Sequence, residues 1–230
     1  MVTVLDQKAS NIFEFSEYFR MTMPTGNKAT NLRELLQFLR EMTEPVLNYH
    51  LWQSRLNITQ PTLEYSNDFA TWAATGLHDI LLAEKLSGID PFDYENLTQV
   101  REAMVEMLEE YLWDSSHYPQ VPPGYELYFC EASAVVLHAG ISARTLREFC
   151  GALQTVGLDS VYYHFVEARR RLGDRKMDDF SRWIADNFTV PSLVTAIREI
   201  DLYFYTLAEI RDTILALVQE QARTTSDQPE

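Results

Sequence analysis

Tyr49-His50, followed by Asp68-Phe69-Ala70-Thr71-Trp72, returns later in the chain as Tyr163-His164 and Asp179-Phe180-Ser181-Arg182-Trp183. This doubled phrase, Tyr-His then Asp-Phe-x-x-Trp, decides how the remainder is read. Outward from it, Phe13–Arg55 lies over Leu127–Arg169 without a gap. Identities fall at Phe15/Phe129, Glu17/Glu131, Gly26/Gly140, Ala29/Ala143, Leu32/Leu146, Arg33/Arg147, Glu34/Glu148, Leu39/Leu153 and Arg55/Arg169. Dropping three residues aligns the Asp-Phe-x-x-Trp stretches, and one further shift sets Asn96-Leu97 against Thr206-Leu207 and Arg101 against Arg211. Two copies of about a hundred residues are too few and too long for a solenoid, so the expectation is a pseudo-twofold pair of lobes.

Each copy has the same local order. Phe13-Glu14-Phe15 and Phe19 to Met23, like Leu127 to Phe129 and Ala134 to Leu137, read as short strands around Thr25-Gly26 or Ala139-Gly140, hence a β-hairpin in each copy. Asn31 and Thr145 stand three residues before Glu34 and Glu148, a capping arrangement that starts an amphipathic helix carrying Leu32, Leu35, Leu36 and Leu39 or Leu146, Phe149, Cys150 and Leu153. A second helix carries Tyr-His. Asp and Trp of the next phrase are four apart and share a helix face. A long closing helix follows Asn96 and Thr206. The fold class is therefore α+β and mostly α-helical, a tandem pseudo-twofold duplication with a short β-hairpin and four or five helices per copy. The expected division is an N-terminal arm 1–12, lobe one 13–112, a Pro-rich linker 113–124, lobe two 125–222 and a disordered tail 223–230.

A formal charge of −15 argues against nucleic acid, whose phosphates demand a basic surface, and against anionic membranes. No apolar run reaches the roughly 20 residues that span a bilayer, and no signal peptide is evident. The two cysteines, Cys130 and Cys150, lack metal-binding spacing and read as reduced thiols of a cytoplasmic protein. There is no Gly-rich phosphate loop, no Gly-x-Ser-x-Gly elbow and no HExxH. No catalytic set, metal site or cofactor is expected from motifs.

Two readings attach to the doubled phrase. Tyr49, His50, Asp68 and Trp72, with Tyr163, His164, Asp179 and Trp183, form a candidate ligand site in which a histidine acts as base and an aspartate holds its tautomer. Alternatively the same residues are structural, an imidazole bonded to a carboxylate and an aromatic in the core. Arg169, Arg170 and Arg171 form a local basic run on an acidic chain, either a patch for an acidic partner or a solvated helix end.

These motifs resemble a prokaryotic family of unknown function with the pattern Phe-x-Phe, Thr-Gly-x-x-Ala-x-x-Leu-x-Glu-Leu, Tyr-His, Asn-Asp-Phe-x-x-Trp and Leu-Ala-Glu-x-Leu. Copy one carries it at Phe13, Phe15, Thr25-Gly26, Ala29, Leu32, Glu34-Leu35, Tyr49-His50, Asn67-Asp68-Phe69, Trp72, Leu82-Ala83-Glu84 and Leu86. Copy two departs from it with Asp178 in place of Asn and Leu193-Val194-Thr195 in place of Leu-Ala-Glu. The resemblance implies no activity, and associates similar domains with sugar-metabolising proteins. The function expected is a non-catalytic protein-interaction or regulatory accessory module, with a protein partner or self-association. The alternative is an enzyme or small-ligand binder acting on a sugar or sugar phosphate.

Overall fold

Gly26 and Gly140 have φ of +83° and +70°, but neither reverses the chain. In the computed structural model, which describes residues 3–52, 65–113, 119–172, 174, 176–202 and 204–226, each copy contributes one long strand where a hairpin was expected. β1 is Phe13–Ala29 and β2 is Leu127–Ala143, and the two pair with each other. They run antiparallel: Glu14 faces His138 at 3.4 Å, while Thr25 Oγ1 donates to the Phe129 carbonyl at 2.9 Å. The hairpin expectation failed because a glycine turn and a through-going strand share the same residues. What separates them is where the ladder partner lies, and here it comes from a segment over a hundred positions away.

The helices follow the sequence closely. They are α1 (Leu32–Glu41), α2 (Glu44–Leu51), α3 (Asp68–Thr75), α4 (Ile80–Ser87) and α5 (Leu97–Trp113) before β2. After it come α6 (Leu146–Thr155), α7 (Leu158–Val161), α8 (Ala168–Leu172), α9 (Asp179–Asn187), α10 (Pro191–Arg198) and α11 (Leu207–Ser226), with a π-helical turn Tyr162–Glu167 joining α7 to α8. The expected caps form. Glu34 N–H donates to Asn31 Oδ1 at 3.0 Å and Glu148 N–H to Thr145 Oγ1 at 3.1 Å. Thr206 and Glu209 bond reciprocally.

The chain divides into two compact units. One runs to Phe19 and resumes at Val135; the other is Arg20–Ala134. This cut does not follow lobes 13–112 and 125–222. Each unit takes the start of its ribbon from the opposite copy. In the first, Phe13 and Phe15 lie among the helices of copy two: Phe15 stacks on Phe149 at 5.8 Å, and Phe13 meets Trp183 edge-on at 5.5 Å. Around them are buried Phe165, Phe180, Ile197 and Ile214. In the second, Phe129 packs on Phe38 at 5.1 Å; Leu35, Leu39, Phe69, Leu82, Met104 and Leu108 are buried in the same unit.

Three flanking segments differ from expectation. The arm is anchored: Asp6 pairs with Arg147 at 2.7 Å and Ala9 N–H donates to the Arg144 carbonyl. The described end of the linker is tied as well, since Val121 is buried and its N–H donates to the Thr30 carbonyl. Helix α11 continues to Ser226, because no glycine or proline interrupts it before Pro229. The aligned Arg55, the linker residue Pro61, Gly173, Arg175, Tyr203, residues 114–118 and the tail from 227 lie outside the described residues.

Phe15 is fully buried, so Phe15→Ala is expected to cost about 3–5 kcal/mol. Hydrogen exchange should show the loss in α6 and α9, whereas a conventional lobe would show it in α1 and α3.

Candidate functional site

His50 lies on α2 and is buried at 2 % exposure. Its Nδ1 is 2.8 Å from Asp68 Oδ2 at the first position of α3. Its Nε2 accepts the Cys130 main-chain N–H at 3.0 Å. An imidazole nitrogen that accepts carries no proton, so the proton sits on Nδ1 and is donated to the carboxylate. His164 repeats the arrangement. Nδ1 is 2.9 Å from Asp179 Oδ2, and Nε2 accepts the Ser16 main-chain N–H at 2.9 Å. The tryptophans complete each corner: Trp72 Nε1 donates to the Tyr125 carbonyl at 2.7 Å and Trp183 Nε1 to the Asn11 carbonyl at 2.8 Å.

Ser16 on β1 and Asn11 just ahead of it correspond, at a constant offset, to Cys130 on β2 and Tyr125 just ahead of it. The expected site residues are therefore brought together within each copy, and the stretch of strand they hold comes from the other copy. Tyr49 is buried against His50, ring centres 5.0 Å apart, and burial pushes its phenol up from the ordinary value. Tyr163 lies against His164 at 4.9 Å and stacks on Tyr18.

Ser16, His164 and Asp179, and likewise Cys130, His50 and Asp68, share residue types with nucleophilic triads. The geometry differs at the decisive bond. In a triad the Nε2 lone pair faces the nucleophile's side-chain oxygen or sulfur and takes its proton. Here the donor is the main-chain amide of that same residue, so the lone pair is occupied. The Cys130 thiol is also shifted away from reactivity: burial, then the Asp68 charge, raises it above the ordinary range.

The arginine run does not form one surface patch. Arg169 is buried; its guanidinium donates to the carbonyls of Ile197 and Arg198 at the C-terminal end of α10 and of Ile200 just past it, and lies 4.2 Å from the Phe165 ring centre. Arg170 pairs with Glu167. Arg171 reaches both carboxylate oxygens of Asp179, at 3.0 and 2.8 Å, and covers the Tyr163 ring. Although burial alone would raise Asp179, the bonds from His164 and Arg171 hold it below the ordinary range. Among the described residues no group of three or more His, Cys, Asp or Glu is placed to hold a metal. An open hollow of about 290 Å³ lies over Trp183, lined also by Glu14, Arg182, Asp186 and Asn187.

The units differ at the residue preceding each Asp-Phe. Asn67 caps α3 and donates to the Leu86 carbonyl at 3.0 Å. Asp178 caps α9 through the Ser181 N–H and hydroxyl, both at 2.8 Å, with Arg169 at 3.6 Å. Burial raises the Asp178 carboxyl to about 6, outweighing those partners.

Two outcomes are expected. His164→Ala leaves the Ser16 amide and Asp179 without their shared partner and should cost about 1–3 kcal/mol by urea unfolding. The folded value of Asp178 lies above its ordinary 3.8, so its contribution to stability is present below about pH 4 and is lost as pH rises through about 6. Relative to wild type, Asp178→Asn should therefore gain stability between about pH 4 and pH 7. A difference that stays constant across that range would refute the assignment.

A comparison with solved structures finds "The structure of OrfY from Thermoproteus tenax", 28% identical, with a TM-score of 0.72 over 95% of this chain and 99% of that one. Comparison with curated proteins finds no match. Among known families, residues 10–219 match one described as a family of unknown function, DUF5752. That match spans most of the chain, and the protein therefore belongs to this family.

Proposed function

We propose that the chain is a non-catalytic interaction or regulatory accessory module, built by tandem duplication with exchange of the leading strand segments, and working in the cytoplasm. One observation carries the reading. Both nitrogens of His50 and of His164 are engaged by the protein itself, one by a carboxylate and one by a strand amide. The two imidazoles thus hold strand to helix, with neither ring nitrogen left for a substrate. The repeated geometry at a constant offset supports the duplication, and the two free thiols support a reducing compartment.

A second reading, a small-ligand binder for a sugar or sugar phosphate, is favoured by the hollow over Trp183. Its lining sets the edge of the largely buried Trp183 beside Asp186, Asn187 and Arg182. A thermal-shift screen against divalent metals, nucleotides and sugar phosphates separates the two. The accessory reading expects no shift at millimolar ligand, together with a stoichiometric protein retained from native extract by the tagged chain. Binding at a hundredfold excess over Kd would stabilise by about 2.7 kcal/mol. A sugar phosphate that does so in wild type but not in Arg182→Ala, with turnover, would sink the accessory reading.

A further inference from the structure

Arg198, the last residue of α10, is half-buried, and its guanidinium is short of acceptors. Its Nε is fully buried without a hydrogen-bond partner, and its Nη2 donates to the Met177 thioether at 3.4 Å. Thioether sulfur is a weak acceptor. Among the described residues no carboxylate pairs with Arg198, although the chain holds 34 acidic residues against 19 basic ones. The two cations beside it do have carboxylates: Arg169 lies 3.6 Å from Asp178, and Lys176 lies 2.6 Å from Glu199. A buried donor left open among such neighbours calls for an acceptor that the unmodified chain does not supply.

What already sits on the guanidinium decides which acceptor fits. Met177 lies between α8 and α9, where its N–H donates to the Asp174 carbonyl at 3.1 Å. An external anion would have to displace its side chain, whereas an oxygen added to the sulfur is held there by the chain itself. Nε and Nη2 border the same edge of the guanidinium fork, so a sulfoxide oxygen at that edge can accept from both. Oxidation turns the apolar thioether into a polar group. The three rotatable bonds of Met let the sulfur step back as the oxygen comes between. Access favours the same residue: Met177 is half-buried, while Met42 at 6% and Met104 at 0% exposure are sealed.

We infer that Met177 is an oxidation site: a hydroperoxide converts its thioether to the sulfoxide, and the new oxygen accepts from Arg198 and fastens the segment between α8 and α9 to the end of α10. The peroxide O–O bond breaks, one oxygen bonds to Sδ, and water or an alcohol leaves; sulfur is oxidised and the peroxide reduced. The inference goes beyond the accessory reading and does not depend on it. The test treats the full chain and Met177→Leu alike with dilute hydrogen peroxide, so that the other methionines cancel. Peptide mass spectrometry should find oxygen on Met177 while Met42 and Met104 are unaltered. Relative to Met177→Leu, the Tm of wild type should rise by about 2–4 °C on treatment, and methionine sulfoxide reductase should reverse the gain. In Arg198→Met the gain should vanish. Should Arg198→Met fail to fold by circular dichroism, Met177→Gln decides: without peroxide, its side-chain carbonyl must raise Tm above that of Met177→Leu, and no rise overturns the inference. Oxidation of Met42 or Met104 ahead of Met177, a treated wild type that gains nothing over Met177→Leu, or a gain that persists in Arg198→Met would each overturn it as well.

Discussion

The amide of a β-strand residue donating to an imidazole whose other nitrogen faces an aspartate at a helix start is the bond on which both units depend. It joins three elements at one side chain: strand, α2 or the π-helical turn, and α3 or α9. Each leg is necessary. The carboxylate fixes the tautomer, the tautomer exposes the Nε2 lone pair inward, and the lone pair satisfies an N–H on a strand edge. A buried amide without a partner is costly, so the ring has little freedom to move. That immobility makes it a good joint and a poor general base.

The strand it holds belongs to the opposite copy. Phe13 and Phe15 fill the space among Phe149, Phe165, Phe180 and Trp183, and Phe129 occupies the corresponding place against Phe38 and His50. Neither copy contains the leading strand of its own unit, so the two cannot fold as successive beads on the chain. Expressing residues 13–112 alone would leave Phe38 and His50 without Phe129 against them. Arg20–Ala134 is one continuous segment, whereas the other unit needs the residues up to Phe19 together with those from Val135.

The two near-identical corners differ electrostatically. Asn67 answers the cap of α3 with a neutral amide, whereas Asp178 places a carboxyl in the core and requires a cation nearby. Arg169 supplies it and at the same time donates to carbonyls at and just past the C-terminal end of α10. Desolvation works against both charges: it raises the acid and lowers the arginine from its ordinary value. A buried pair of this kind is stabilised mainly by the hydrogen bonds around it rather than by Coulomb attraction.

The residues by themselves determined the helices, their caps and the pairing of His50 with Asp68 and His164 with Asp179, because each depends on spacing within a short window or on side chains that recur in both copies. They also pointed to a family of unknown function, and the match over residues 10–219 agrees. The hairpin reading failed, and neither reading of the arginine run, partner patch or solvated helix end, holds for the buried Arg169, for a common reason. Whether Gly26 bends a through-going strand or reverses it, and whether Arg169 faces solvent or the carbonyls of Ile197 and Ile200, is set by partners far away in sequence. The strand side of each histidine was invisible for a stricter reason: a main-chain amide at Ser16 or Cys130 has no side-chain signature at all. Only the tertiary structure could decide that the Nε2 lone pair meets an amide rather than a hydroxyl or thiol.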